Sequence, residues 1–447
     1  MSLSKGQKVG IIIGLVLLVF AIAAGLTYIF WPRSPPPTPP TPNTECSDDD
    51  DCPYDNQYCD EDGTCQTRDT ECFDDDDCPL GYVCDSYQCV EEPSILNRMA
   101  AGLENSTFIK SDGTVWACGK GLFGVNGDGT TEDRTIPVQV LNLNNITKIA
   151  LNWRHVLALR VDGIIFAWGY DDGGILGDGV VRGRVGVSTP VQVVNVANVV
   201  DIAVGQLHSL AVTEDGHVYS WGSNLYGQLG LDTTDTQTTP QRVLDLDNIV
   251  SVAAGSYTSY AMDVNGIVYS WGMGRYGQLG DGSTANRYHP QAVDGLDGYE
   301  VSSKTYNCLA VQGTTLGFGS NSWNGLGMDT SPETQLSVPT VIDALKDYDI
   351  VEAAAGHYYG LVLTADGSIL SFGYNNLGQL GNDTTESGTP PGKVLLLDNI
   401  IHIAAGRSHS LAMKDDGTFW AFGSNYAGQL GDGSKEDRHV AVQVLNI

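Results

Sequence analysis

The sequence predicts an all-β chain dominated by a seven-bladed β-propeller, and three observations carry that expectation. From about residue 94 onward the chain repeats itself with a period near 50 residues, a spacing that marks propellers or solenoids. Short runs rich in Val, Leu and Ile flank Asp-Gly or Asn-Gly, the strongest short hairpin signal, at Gly113, Gly163, Gly216, Gly266, Gly367 and Gly417. A marker pair ending in glycine then returns at Cys118-Gly119, Trp168-Gly169, Trp221-Gly222, Trp271-Gly272, Phe318-Gly319, Phe372-Gly373 and Phe422-Gly423, which makes seven units.

Ahead of the repeats the chain divides into four segments. Residues 1–8 carry Lys5 and Lys8 and read as a cytoplasmic tail. Residues 9–31 hold no charge and are almost wholly apolar. About 20 such residues cross the hydrocarbon core of a bilayer as a helix. Tyr28 and Trp31 suit its far interface, and the lysines in front place the N-terminus inside. The segment is therefore expected to be a transmembrane signal-anchor, with the propeller extracellular or lumenal on a cell surface or virion envelope. A cleaved signal peptide is the competing reading, although its apolar region is ordinarily shorter. Residues 32–43 are a Pro/Thr-rich linker, which favours polyproline II and spaces the next segment roughly 35 Å from the membrane at about 3.1 Å per residue.

Residues 44–92 form two duplicated cysteine modules, Cys46, Cys52, Cys59 and Cys65, then Cys72, Cys78, Cys84 and Cys89. Each is too short and polar to fold on a hydrophobic core, so disulfides are expected, with the pairing open. No CxxC spacing supports zinc, and the two four-Asp runs (48–51 and 74–77) lack the spaced ligands of a calcium loop. Disulfides in turn favour an oxidising compartment.

Within 94–447 each sheet buries its faces only against its neighbours, so the ring must close. GQLG stands intact at Gly227, Gly277, Gly378 and Gly428 and degenerates to GVNG, GILG and NGLG in the other units. Together with GxxHSxA and DGxVYxWG, these strings resemble the regulator of chromosome condensation repeat family over residues 94–447. The resemblance implies four-stranded blades, and closure of the ring by one blade that mixes N- and C-terminal strands, here Ile95 to Met99 and Ala441 to Leu445. The founding member of that family is a nuclear guanine-nucleotide exchange factor. Another member is an ultraviolet photoreceptor built on packed tryptophans, whereas Trp168, Trp221 and Trp271 here fill the ordinary strand position.

Three departures stand out. Blade 5 replaces a glycine with Lys304 and shortens its hairpin at Gln312-Gly313. Blade 1 has Cys118 where Trp is usual. Blade 2 lengthens a loop by Val180 to Arg184, and its Arg182 and Arg184 are the candidate partner-contact residues, since loops on rigid scaffolds often carry function.

The net charge of −31 opposes a nucleic-acid partner, because phosphate is repelled. Residues 44–92 contribute 18 acids against the single base Arg68. His155, His208 and His409 occur once per repeat, so the ring spreads them apart, and a structural hydrogen-bonding role is expected. No catalytic residue, metal ligand or cofactor can be singled out, and the chain reads as non-enzymatic. The sequons at Asn105, Asn145 and Asn382 are candidate N-glycosylation sites. The functional expectation is a membrane-anchored recognition or adhesion protein that presents its propeller to a protein or glycan. The alternatives are an exchange-factor-like regulator of a GTPase, or a structural envelope or coat component.

Overall fold

A computed structural model describes residues 98–328 and 335–447, together with the backbone of four short strands nearer the N-terminus. The expected membrane span, linker and disulfides lie outside the described residues. Among those described, no helix is long and apolar enough to cross a membrane. The chain divides into two units, 1–90 and 91–447. In the first, Gln57–Cys59 pairs antiparallel with Cys65–Thr67, Cys59 opposite Cys65 in the register, and Tyr82–Asp85 forms a second two-stranded sheet with Gln88–Glu91.

The second unit is a propeller of seven four-stranded sheets. Blade 1 runs from Met99–Ala101 to Arg134–Gln139, blade 2 from Ile146–Leu151 to Val185–Gln192, and blade 3 from Val199–Val204 to Gln237–Arg242. Blade 4 spans Ile249–Ala254 to Arg287–Ala292, and blade 5 Glu300–Ser303 to Gln335–Val341. Blade 6 spans Ile350–Ala355 to Thr389–Lys393, and blade 7 Ile400–Ala405 to Arg438–Gln443. The first strand of every blade lines a central channel of about 290 Å³. The hydrophobic clusters lie between blades. Ile109, Val115 and Ala117 of blade 1, for example, pack with Ile146, Val156 and Trp168 of blade 2. An isolated blade would therefore expose a core face, which is why the ring is the folding unit.

The recurrent glycine after the bulky marker has a specific cause. At Gly222 φ is +99°, and a Cβ would stand 2.6 Å from the carbonyl oxygen of Leu207, just ahead of the neighbouring strand. The equivalent glycines share positive φ and the same close carbonyl, down to 2.1 Å at Gly319. The register shifts there as the chain passes to the fourth strand. Gly222→Ala combines a disfavoured φ with a backbone clash, so it should cost on the order of 3 kcal/mol in urea unfolding. A change below about 1 kcal/mol would refute this reading of the marker.

Ring closure departs from the expectation. Each blade is built from four consecutive strands, and among the described residues no blade mixes the two ends of the chain. Met99–Ala101 is the inner strand of blade 1, while Arg438–Gln443 completes blade 7 beside Phe419–Gly423. Closure is an ordinary blade–blade interface. Met99, Phe108 and Cys118 share a core with Leu411, Phe419 and Val444, and Phe108 meets Phe419 edge-on at 5.1 Å. Among the described residues, both end blades hold four strands from their own stretch of sequence.

An aromatic and arginine face on the propeller

The histidine slot begins the second strand of each blade and faces the next blade. His155 Nε2 lies 3.1 Å from Ser209 Oγ, His208 Nε2 3.0 Å from Ser259 Oγ, and His409 Nε2 3.0 Å from Ser106 Oγ. Those serines donate to carbonyls of a GxLG turn in the preceding blade, Ser259 to Gln228 at 2.7 Å and Ser106 to Gln429 at 2.6 Å. With its proton so used, each serine oxygen accepts from the imidazole Nε2–H, which assigns the tautomer. The indole N–H groups of Trp168, Trp221 and Trp271 reach across to Val125, Ile175 and Gln228 carbonyls in the same fashion. In blade 6 Tyr359 takes the slot and donates to the His409 carbonyl at 2.6 Å. In blade 4 Thr258 turns back to Met273, and Tyr260 meets Cys308 instead. These groups are distributed around the ring and converge on no common point.

Burial pushes His155, His208 and His409 down to about 3. The folded state thus holds them neutral while the unfolded chain protonates them below about 6.5. Because the unfolded state binds more protons in that window, stability rises with pH and is lost on acidification. Each imidazole should remove about 1.4 kcal/mol per pH unit below 6.5. Urea midpoints at pH 7.5 and 5.5 measure this directly, and equal midpoints would contradict it.

The loops before this slot and after the marker glycine emerge on one face of the ring and carry aromatic side chains. Tyr226 contacts Tyr257, with ring centres 5.1 Å apart, and Tyr276 contacts Tyr306 at 4.4 Å. Trp323 meets Tyr374 at 5.3 Å, and His357 stacks on Tyr358 at 4.0 Å. Phe123 and Trp153 both pack on Tyr170, and the Arg154 guanidinium lies over the Phe123 and Trp153 rings. Arg154 is 3.6 Å from Glu104, which also binds the Tyr426 hydroxyl. Arg275 covers Tyr276. Trp323 and Tyr426 are 50% and 54% exposed, so the ring of aromatics is open to a partner. Phe123, Trp323 and Tyr358 hold φ of 66°, 59° and 67°. Bulky residues rarely adopt such values, which cost about 1–3 kcal/mol each and cluster where function holds them. Burial and neighbouring tyrosines push the Tyr306 phenol up to about 12, so it stays a hydrogen-bond donor at neutral pH.

Lys304 sits where this face meets the channel. The residue as a whole is half-buried, while its ammonium, the end that titrates, is enclosed. It donates to the Ala101 carbonyl at 2.5 Å and the Leu151 carbonyl at 3.0 Å, bracing blade 5 against blades 1 and 2. Burial lowers it to about 7.

The predicted contact loop lies on the rim of the same face. Arg182 is held by Asp171 at 3.1 Å and by Asp178, so its charge is neutralised within the blade. Arg184 is the exposed cation, with Asp172 at 3.2 Å. The sequons divide. Asn145 is exposed and Asn382 half-buried, with its oxygen accepting from Thr384 at 2.8 Å. Asn105 is a correction. It is 1% exposed, and its amide nitrogen donates to the Lys120 carbonyl at 2.6 Å, which leaves no room for a sugar on the folded propeller. Cys118 and Cys308 are buried free thiols. Among the described residues no cluster of His, Cys, Asp and Glu could hold a metal ion.

The aromatic face was not singled out from the sequence. Its signal is positional. Arg154, Tyr257, Tyr306 and Tyr358 stand immediately before the histidine slot, and Tyr226 and Tyr276 immediately before GQLG.

Comparison with known proteins identifies the repeats. Residues 62–323 match the RCC1-like domain, and residues 366–413 and 400–429 match the regulator of chromosome condensation (RCC1) repeat. The chain is 32% identical over 311 residues to the human probable E3 ubiquitin-protein ligase HERC6, covering 68% of this chain and 26% of that protein. It is 34% identical over 140 residues to the Arabidopsis thaliana ultraviolet-B receptor UVR8, covering 31% of this chain and 32% of the receptor. The structure of yeast RCC1 (Prp20) bound to Kap60 superposes with a TM-score of 0.67 at 23% identity, covering 76% of this chain and 85% of that one. Human HERC2, another E3 ubiquitin-protein ligase, matches at 32% identity over 67% of this chain and 6% of its own length. The expectation of a non-enzymatic chain is therefore corrected, since relatives matched over two thirds of the chain are named as ligases. The chain spans about a quarter of HERC6 and far less of HERC2, so the match concerns only a part of each of those proteins.

Proposed function

The chain belongs to the regulator of chromosome condensation repeat family, and from that membership we propose a protein-recognition propeller that engages its partner through the aromatic and arginine face. The observation that carries this reading is the set of Tyr, Trp and Arg clusters on the loops at one mouth of the ring. Those residue types dominate the energetic centres of protein interfaces, because they offer large contact area with few rotors and a polar tip. The same face carries Arg184 at its rim and three strained aromatic positions. The apolar, uncharged segment 9–31 supports a second part of the proposal, that the propeller is held at a membrane on the extracellular or lumenal side.

Protease treatment of membranes carrying the full chain, with and without detergent, tests the second part. Protection that detergent abolishes is the expected result. A propeller digested without detergent would overturn it and make regulation of a cytosolic GTPase the first reading to test. The first part predicts that Trp323→Ala weakens partner binding at least tenfold, whereas Val264→Arg, on a hairpin turn at the far end of the strands, changes it less than twofold.

A further inference from the structure

The axial pocket of the aromatic face carries a ligand chemistry of its own: we infer that it receives the carboxylate of an acidic side chain presented by the partner protein. This rests on the reading of that face as the recognition surface and adds the chemical class of the inserted group.

The pocket has a volume of about 310 Å³ and lies where the loops of several blades meet the channel. Trp153, Tyr306 and Tyr358 line it together with Lys304, Ser256 and Arg407. No Asp or Glu lines it, and none lines the adjoining hollow of about 320 Å³ that shares His357, Tyr358 and Arg407. In a chain with 54 acids and 23 bases, two neighbouring acid-free hollows that share an arginine set this spot apart from the surface around it. Most described arginines reach a carboxylate within 4 Å. Arg407 reaches none among the described residues, and it is exposed.

Lys304 adds a second donor group, charged below about pH 7. The equivalent position is glycine in blades 1, 3, 4, 6 and 7, as at Gly102 and Gly205, so the lysine occupies space the other blades leave open on the axis. Two of its three donors are committed to the Ala101 and Leu151 carbonyls. His357 is pushed down to about 4 by burial and by Arg407, so it contributes a neutral ring. A guanidinium with no internal acid partner offers a planar fork that matches a carboxylate. The neighbouring aromatic rings offer an apolar surface for the methylene stem of a Glu or Asp side chain. A single side chain fits the volume; a folded domain does not enter.

The test uses the full chain in detergent micelles and N-acetyl-glutamate N-methylamide as the probe. Tyrosine and tryptophan fluorescence should change saturably, and Arg407→Gln should weaken binding at least tenfold while its thermal transition stays at the wild-type temperature. The glutamine analogue of the probe should bind at least tenfold more weakly than the glutamate one. Equal binding of both probes, no saturable change, or full binding to Arg407→Gln would each overturn the inference. So would saturable binding of glucuronate with none of the glutamate probe, which would assign the pocket to an acidic sugar. The two readings fail separately. Partner binding lost in Trp323→Ala but retained in Arg407→Gln would sink the carboxylate pocket and leave the recognition face standing. Loss in neither variant would sink both.

Discussion

Replacing His409 with alanine should destabilise the propeller by about 3–4 kcal/mol, as a fall in the urea midpoint at pH 7.5. His409 is fully buried at the interface that closes the ring, with Nε2 3.0 Å from Ser106 Oγ. Alanine removes an imidazole's worth of packing from a dense interface and leaves the serine oxygen without its donor. Among the described residues no exchanged strand backs up this seam, since blades 1 and 7 each hold four strands from their own sequence. Ser106→Ala alone should cost less, about 1–2 kcal/mol, since a small hydroxyl is lost without a cavity. The double variant should cost less than the sum of the two, by about 1 kcal/mol or more, as expected of groups in direct contact. Strict additivity would show that the pair is not coupled, and a cost below 1 kcal/mol for His409→Ala would show that closure resides elsewhere.

The second large effect concerns Lys304 and has a pH signature. The enclosed ammonium is lowered to about 7, whereas an unfolded lysine titrates near 10.5. Between those values the unfolded chain binds more protons, so the contribution of this residue to stability rises with pH. Lys304→Met keeps the length of the stem and deletes the titration. The difference in unfolding free energy, wild type minus Met variant, should therefore increase by about 2 kcal/mol between pH 7 and pH 9. Tyrosines and thiols titrate in both proteins and cancel in that difference. A difference independent of pH would mean that the ammonium is solvated in the folded state.

The fold was legible from the sequence because propeller physics repeats. Asp-Gly turns mark each hairpin, and the marker glycine recurs because a neighbouring carbonyl occupies the place of its Cβ at each blade. Blade count and architecture followed from those signals. The shortened hairpin of blade 5 also appears as expected, with Gln312 paired directly to Thr314. The closure was misjudged because the inner strand Met99–Ala101 is only three residues long and carries no strong strand pattern of its own. Its assignment depends on contacts more than 300 residues away, such as the core that Met99 and Ala101 share with Leu411 and Met413.

The candidate site was less legible. The histidines attracted notice because they repeat, and repetition is the mark of scaffold. The aromatic face is irregular from blade to blade, with Arg154, Leu207, Tyr257, Tyr306, Tyr358 and Ser408 in one aligned slot, so no motif flags it. Arg182 looked like a free basic loop because Asp171 and Asp178, which neutralise it, are ordinary acids until the loop folds over them. Asn105 satisfied the sequon rule, yet its slot is the one that histidine fills in other blades, and that slot is buried.

Site-specific photo-crosslinking in cells expressing the full chain tests the recognition face most directly, with a benzophenone side chain placed at Trp323 in one variant and at Val264 in another. The aromatic face as the binding surface predicts a discrete partner adduct from position 323, competed away by an excess of uncrosslinkable full chain and absent from position 264. An adduct from position 264 with none from position 323 would contradict it and move recognition to the opposite mouth of the ring.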